Sequence, residues 1–183
     1  MSKIIITAIG KDRPGIVSSV ARVLFQLGCN IENVSQTILQ SEFAGIYIVS
    51  VPDGTDFETF SEQFREAFGE VGLHVHIESM ETELPHVEPS GEHFIITTIG
   101  PDSKGLVYDI STVIAEAGVN IINLTAVFEG GDNPEKNIMV YEVLVPDSVD
   151  RHILSGTLKE KAASLKLALT FQHKNIFDTV NRI

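Results

Sequence analysis

Apolar residues fall along this chain in two alternating patterns. Ile4–Ile9 is short and nearly continuous, as expected of a strand buried on both sides or nearly so. Ile16, Val17, Val20, Val23, Leu24 and Leu27 then recur at helical spacing, which predicts an amphipathic helix over Gly15–Leu27. The turn between them, Gly10-Lys11-Asp12-Arg13-Pro14-Gly15, puts Asp12 or Arg13 at the helix start and Pro14 in the first turn, where a missing N–H costs little. Gly28 follows the last turn and suits the left-handed residue that ends a helix. Asn30–Gln40 and Gly45–Val51 read as strands, and Pro52-Asp53-Gly54 breaks the second. Phe57, Phe60, Phe64, Phe68 and Val71 trace the core stripe of another helix, and Leu73–Ile77 is a last short strand.

The same order then repeats. Phe94–Ile99 is a strand; Leu106, Val107, Ile110, Val113, Ile114 and Ala117 mark a helix ended by Gly118. Asn120–Phe128 and Asn137–Val145 are strands around a longer loop, Glu129–Pro134. Val149–Ala163 is a helix with Ile153, Leu154 and Leu158 inward, and Leu165–Gln172 a strand. Laid over Phe94–Asn123, the segment Ile4–Asn33 is identical at 13 of 30 positions, which marks a duplication rather than chance. Tyr47-x-Val49-x-Val51-Pro52-Asp53 matches Tyr141-x-Val143-x-Val145-Pro146-Asp147 after four extra residues in the second copy. The reading is α+β: two ferredoxin-like βαββαβ domains, 1–79 and 93–174, each a four-stranded antiparallel sheet with both helices on one face. Residues 80–92, with prolines and glutamates, read as a linker; 175–183 is a tail or a helical turn.

Charge and composition narrow the function. A formal charge of −12 disfavours direct contact with nucleic acid, which needs a basic face. Cys29 is the single cysteine, so there is no internal disulfide and no cysteine-based metal site; it reads as a small buried hydrophobe. His74 and His76 share one strand face without a third ligand nearby, which argues against a metal. With no secretory leader read and no apolar run long enough for a bilayer, a cytoplasmic location is expected.

D-R-P-G before an amphipathic helix and G-C-N-I-x-N after it resemble the ACT domain family of amino-acid-sensing regulatory modules, over nearly the whole chain. The resemblance implies a non-catalytic regulator that binds a small amino acid, glycine or serine first, where ACT domains meet. It would act through a protein partner: a transcription factor controlling glycine cleavage, or an amino-acid or one-carbon metabolic enzyme of which this chain is a detached regulatory subunit. No cofactor is implied. A homodimer is expected, since edge strands and apolar helix faces need covering.

The ligand-binding candidates are Asp12, Arg13, Pro14, Gly15 and Ile16 with Asn30, Ile31 and Asn33, and in the second copy Asp102, Gly105 and Leu106 with Asn120, Ile121 and Asn123. Helix-start N–H groups suit a ligand carboxylate. Glycine admits close backbone approach, and an asparagine amide can serve ammonium and carboxylate alike. Asp12 and Asp102 could equally be plain N-caps, and Asn30 and Asn120 plain turn residues. Arg13-Pro14 becomes Ser103-Lys104, so the first copy is the better candidate. Two other uses of this strand order fit poorly. An acylphosphatase-like site from Arg13 and Asn33 lacks a base or nucleophile. An RNA-binding sheet lacks the stacking aromatics.

Overall fold

The computed structural model describes residues 2–70, 72–80, 90–128 and 136–180. Most of the predicted linker, the 129–134 loop and Val71 lie outside the described residues. The chain divides into two compact units, Met1–His86 and Val87–Ile183.

The first unit runs β1 (Lys3–Lys11), α1 (Ile16–Gln26), β2 (Asn30–Leu39), β3 (Glu42–Ser50), α2 (Phe57–Glu70) and β4 (Leu73–Met80). Its sheet is antiparallel throughout, in the order β2-β3-β1-β4. The second unit repeats this with β5 (Gly91–Gly100), α3 (Leu106–Glu116), β6 (Asn120–Phe128), β7 (Asn137–Pro146), α4 (Arg151–Ser164) and β8 (Ala168–His173), in the order β6-β7-β5-β8. A final helix, α5 (Lys174–Val180), occupies the segment the sequence left open.

Alternation along the central strands decides what is buried. Ile4, Ile6 and Ala8 of β1 and Phe43, Tyr47 and Val49 of β3 face α1 and α2 and form the first core with Val20, Leu24, Phe64 and Phe68. Phe64 stacks on Phe60 at 5.7 Å and on Phe68 at 4.3 Å between ring centroids. Burying each such ring contributes about 2–3 kcal/mol. The apolar stripes of both second helices are narrower than expected: Phe57 is exposed, and Ile153, expected inward, is 68% exposed. Phe57 opens α2 one turn before buried Phe60, whereas Ile153 stands beside buried Leu154 in the first turn of α4 and faces outward.

The repeated Gly10 and Gly100 have a steric cause. A Cβ at Gly10 would lie 2.9 Å from the Gly72 carbonyl oxygen and 2.8 Å from Leu73 Cδ2. At Gly100 the corresponding approaches are 2.8 Å to the Lys166 carbonyl and 2.7 Å to Leu167 Cδ2. The chain entering the edge strand thus crosses against the end of the central one.

Both first helices close as Schellman motifs: Cys29 N–H donates to the Leu24 carbonyl and Gly28 N–H to Phe25, with Gly28 at φ 72°. Val119 and Gly118 make the same pair of bonds to Ile114 and Ala115. Cys29 is half-buried against the core, and burial pushes its thiol pKa up.

In the second unit α5 lies against β5 and β8 on the side away from α3 and α4. Ile95 points to that side and is only 5% exposed, and Lys174 Nζ donates to its register neighbour Glu142 at 2.5 Å. The matching face of the first sheet leaves Ile9 and Ile46 about half exposed.

Candidate functional site

The start of α1 is set by a glycine rather than by an acidic cap. Gly15 is the N-cap residue, at φ 93° and ψ 0°, and no side chain caps the helix. Gly105 does the same for α3 at φ 92°. An L-residue pays roughly 1–2 kcal/mol to hold this conformation, so glycine is the residue that lets the strand turn straight into a helix here. Two expectations change. Asp12 and Asp102 do not cap these helices, and Pro14 stands before the N-cap instead of in the first turn. Asp12 donates its backbone N–H to the Ser41 carbonyl at 2.9 Å, tying the loop to the β2–β3 turn. Lys11, just before it, pairs with Glu42 and reaches Ser41 Oγ at 3.2 Å.

What remains is an uncapped helix start opening on a cleft of about 360 Å³, lined by Asp12, Arg13, Gly15, Ile16, Val17, Ser18, Gln36, Ile38 and Phe43. No acidic residue occupies the first turn of α1. First-turn N–H groups and the positive helix end therefore have no first-turn carboxylate to compete with an anion, and Asp12 is the acidic residue among those lining the cleft. A Cβ on Gly15 would meet nothing closer than Ser18 Oγ at 3.8 Å, so the space above the glycine is open.

Asn30, Ile31 and Asn33 do not join this cleft. Asn30 pairs with Ser50 at one end of β2, whereas Ile38 pairs with Phe43 beside the loop. Those partners stand seven positions apart on β3, roughly 23 Å along the strand. A β-bulge at Glu32 also shifts the register between Ile31 and Asn33. Ile31 consequently pairs with Val49 toward the core, while Asn33 pairs with Ile48 on the opposite face. The strand end that does reach the loop carries Gln36 and Ile38, which sequence reasoning missed. The antiparallel order was the available signal: the end of the second strand must lie alongside the end of the first.

The second unit departs from the first at its loop. Asn137 takes the register position of Phe43, opposite Gly100 as Phe43 is opposite Gly10. Its Nδ2 donates to Asp102 Oδ1 at 3.0 Å, and its buried Oδ1 has no partner among the described residues. Asp109 stands in the first turn of α3 and binds Lys161 at 2.6 Å. Leu106 is buried, as Ile16 is. Asn120 and Ile121 line a separate cleft with Ser111, Thr112, Ala115 and Val119. Asn123, like Asn33, follows a bulge and points to the other face. Among the described residues, no group of three or more His, Cys, Asp or Glu could hold a metal, and no helix is long and apolar enough to cross a membrane.

Comparison with known proteins identifies the family and the fold. The ACT domain family pattern matches residues 2–78. A UPF0237 protein of Streptococcus mutans is 41% identical over 78 residues, 42% of this chain and 88% of that protein. A UPF0237 protein of Methanocaldococcus jannaschii is 37% identical over 76 residues, 41% of this chain and 84% of its own. A protein of unknown function from Galdieria sulphuraria has the same fold over 94% of this chain and 98% of its own, with a TM-score of 0.76 at 21% identity. So does a chain provisionally assigned as a glycine cleavage system transcriptional repressor, over 93% and 96%, with a TM-score of 0.69 at 20% identity. These last two likenesses concern the fold alone. With a glycine-capped helix start after a central strand, repeated in two split βαβ units, and a close relative nearly spanned by the matched segment, the chain belongs to the ACT domain family.

Proposed function

We propose that this chain is a non-catalytic regulator that binds a small amino acid at the start of α1 and passes the signal to a protein partner. The observation that carries the reading is the uncapped α1 start, free of acidic residues in its first turn and opening on the 12–18 cleft. A ligand carboxylate would take the first-turn N–H groups. Asp12 at the rim suits the ammonium. Because Asn30 and Asn33 lie roughly 23 and 17 Å away along the same strand, they could serve only a ligand held by another ACT unit, which we assign to a second copy of the chain in a homodimer. Ligand bound across such a joint would favour the paired state, and this preference is the signal.

Glycine and serine head the list of ligands, by the resemblance of the loop and by the glycine cleavage role assigned to one chain of the same fold. With a charge of −12, control of transcription would run through a DNA-binding partner rather than direct contact. Thermal melting against the twenty amino acids at millimolar concentration tests the reading. At one hundred times its dissociation constant a ligand adds about 2.7 kcal/mol of stability. A flat response across the panel, or a response unchanged by Gly15→Asp, would refute binding at α1.

A further inference from the structure

The second unit carries a cleft that amino-acid sensing does not use. It lies where the last turn of α3 faces the first turn of α4 and holds about 400 Å³. Val113, Ala117, Val149 and Ile153 make apolar walls, while Glu116 and Asp150 stand at the rim. Ile153 is 68% exposed although the next residue, Leu154, is buried in the core. No lysine or arginine lines the cleft, and α3 has no basic residue in its last turn, so the negative end of that helix stands beside Glu116, while the positive end of α4 is capped by Asp150. Asp150 Oδ1 accepts the N–H groups of His152 and Ile153 at 2.8 and 3.1 Å, which caps α4 and leaves Oδ2 available. Those bonds also hold the Asp150 carboxyl below its ordinary pKa, so it stays ionised. Glu116 has no ion-pair partner among the described residues.

Apolar walls under a rim of two carboxylates, with no lysine or arginine lining the cleft, are complementary to a group with an aliphatic body and a cationic end. Pockets for small molecules enclose most of the ligand surface. A wall as exposed as Ile153 cannot do this, whereas a peptide brings contacts on both sides of the inserted side chain. We infer that this cleft docks a basic, apolar segment of a protein partner, with an aliphatic side chain between Ala117 and Ile153 and a neighbouring arginine or lysine on Glu116 and Asp150. The inference shares with the sensor reading only the premise that the chain acts through another protein. It needs no ligand at α1, so either can fail alone.

The test is titration of the isotopically labelled full-length chain with three capped heptapeptides, followed by amide NMR shifts. One alternates leucine and arginine, one has glutamate for arginine, and one has serine for leucine. The leucine–arginine peptide is expected to give saturable shifts confined to the last turn of α3 and residues 148–157, and the other two none. Glu116→Gln with Asp150→Asn, which keeps the cap, should weaken binding about fivefold to tenfold and flatten its salt dependence. Ile153→Ser should abolish it without lowering the melting temperature. Shifts elsewhere, equal binding of the glutamate peptide, or no saturation at millimolar peptide would overturn the proposal.

Discussion

Asn137 donates from Nδ2 to Asp102 Oδ1 at 3.0 Å, in the register position that Phe43 fills in the other unit. The bond holds the second loop down, but it also buries an amide oxygen without a partner. A buried unsatisfied acceptor costs roughly 1–3 kcal/mol, while exposed Asp102 can return to water. Asn137→Leu, similar in volume, should therefore raise stability by about 1 kcal/mol in urea denaturation. A loss of that size would show that the hydrogen bond outweighs the orphaned oxygen.

The two kinds of repeated glycine should respond differently to alanine. At Gly15 the added methyl meets open space and only the positive φ opposes it, so Gly15→Ala should cost about 1–2 kcal/mol. At Gly10 the methyl collides with the Gly72 carbonyl, a backbone atom that cannot rotate away. Gly10→Ala should cost more, about 2–3 kcal/mol. Equilibrium unfolding of both variants gives the order, and the reverse order would contradict the steric account.

Ser18 offers a way to separate folding from binding. It lies in the first turn of α1, where its hydroxyl donates only to the Gly15 carbonyl. An aspartate there complements the helix dipole and should stabilise the free chain by about 0.3–1 kcal/mol. The same charge would repel a ligand carboxylate. Ser18→Asp should thus melt higher alone and lose the shift produced by the bound amino acid, both read in one melting series.

The clasp of α5 should weaken in acid. The Lys174 ammonium, then the His93 ring at 3.1 Å, hold the Glu142 carboxyl below its ordinary range. A depressed folded pKa means that the contribution is complete above the unfolded value, about 4.3, and fades as pH falls through the folded one. The protection of the 174–180 amides against hydrogen exchange, relative to their intrinsic rates, should fall selectively below pH 4. In Glu142→Gln it should already be low at neutral pH, with β7 still protected.

The paired core tyrosines predict an alkaline limit. Tyr141 O–H donates to Met139 Sδ at 3.4 Å, and burial raises its pKa to about 12. Tyr47 is raised by burial too, but Gly45 stands where Met139 does, because Phe43 and Tyr47 both crowd the space above it, and the Tyr47 hydroxyl has no partner among the described residues. Both groups fold best neutral, so stability should decline as pH rises past the unfolded value near 10 toward 12. Tyr47→Phe should be neutral or stabilising, Tyr141→Phe slightly destabilising. Ultraviolet-monitored titration of each variant measures this directly.

The amino-acid order by itself determined the duplication, the βαββαβ order, and the glycines that end the first helices. All of these rest on local periodicity and on backbone conformations that few residues adopt. Helix entry was harder to read, because Asp12 and Gly15 both suit a helix start and only the backbone path shows that the turn closes on Gly15. Tertiary structure alone decided the rest. The bulge at Glu32 sends Ile31 and Asn33 to opposite faces, the hairpin brings Gln36 and Ile38 to the loop in place of Asn30, and α5 covers Ile95. These depend on register between segments distant in sequence, and a shift of one residue there reverses a face without changing the hydrophobic pattern of either segment.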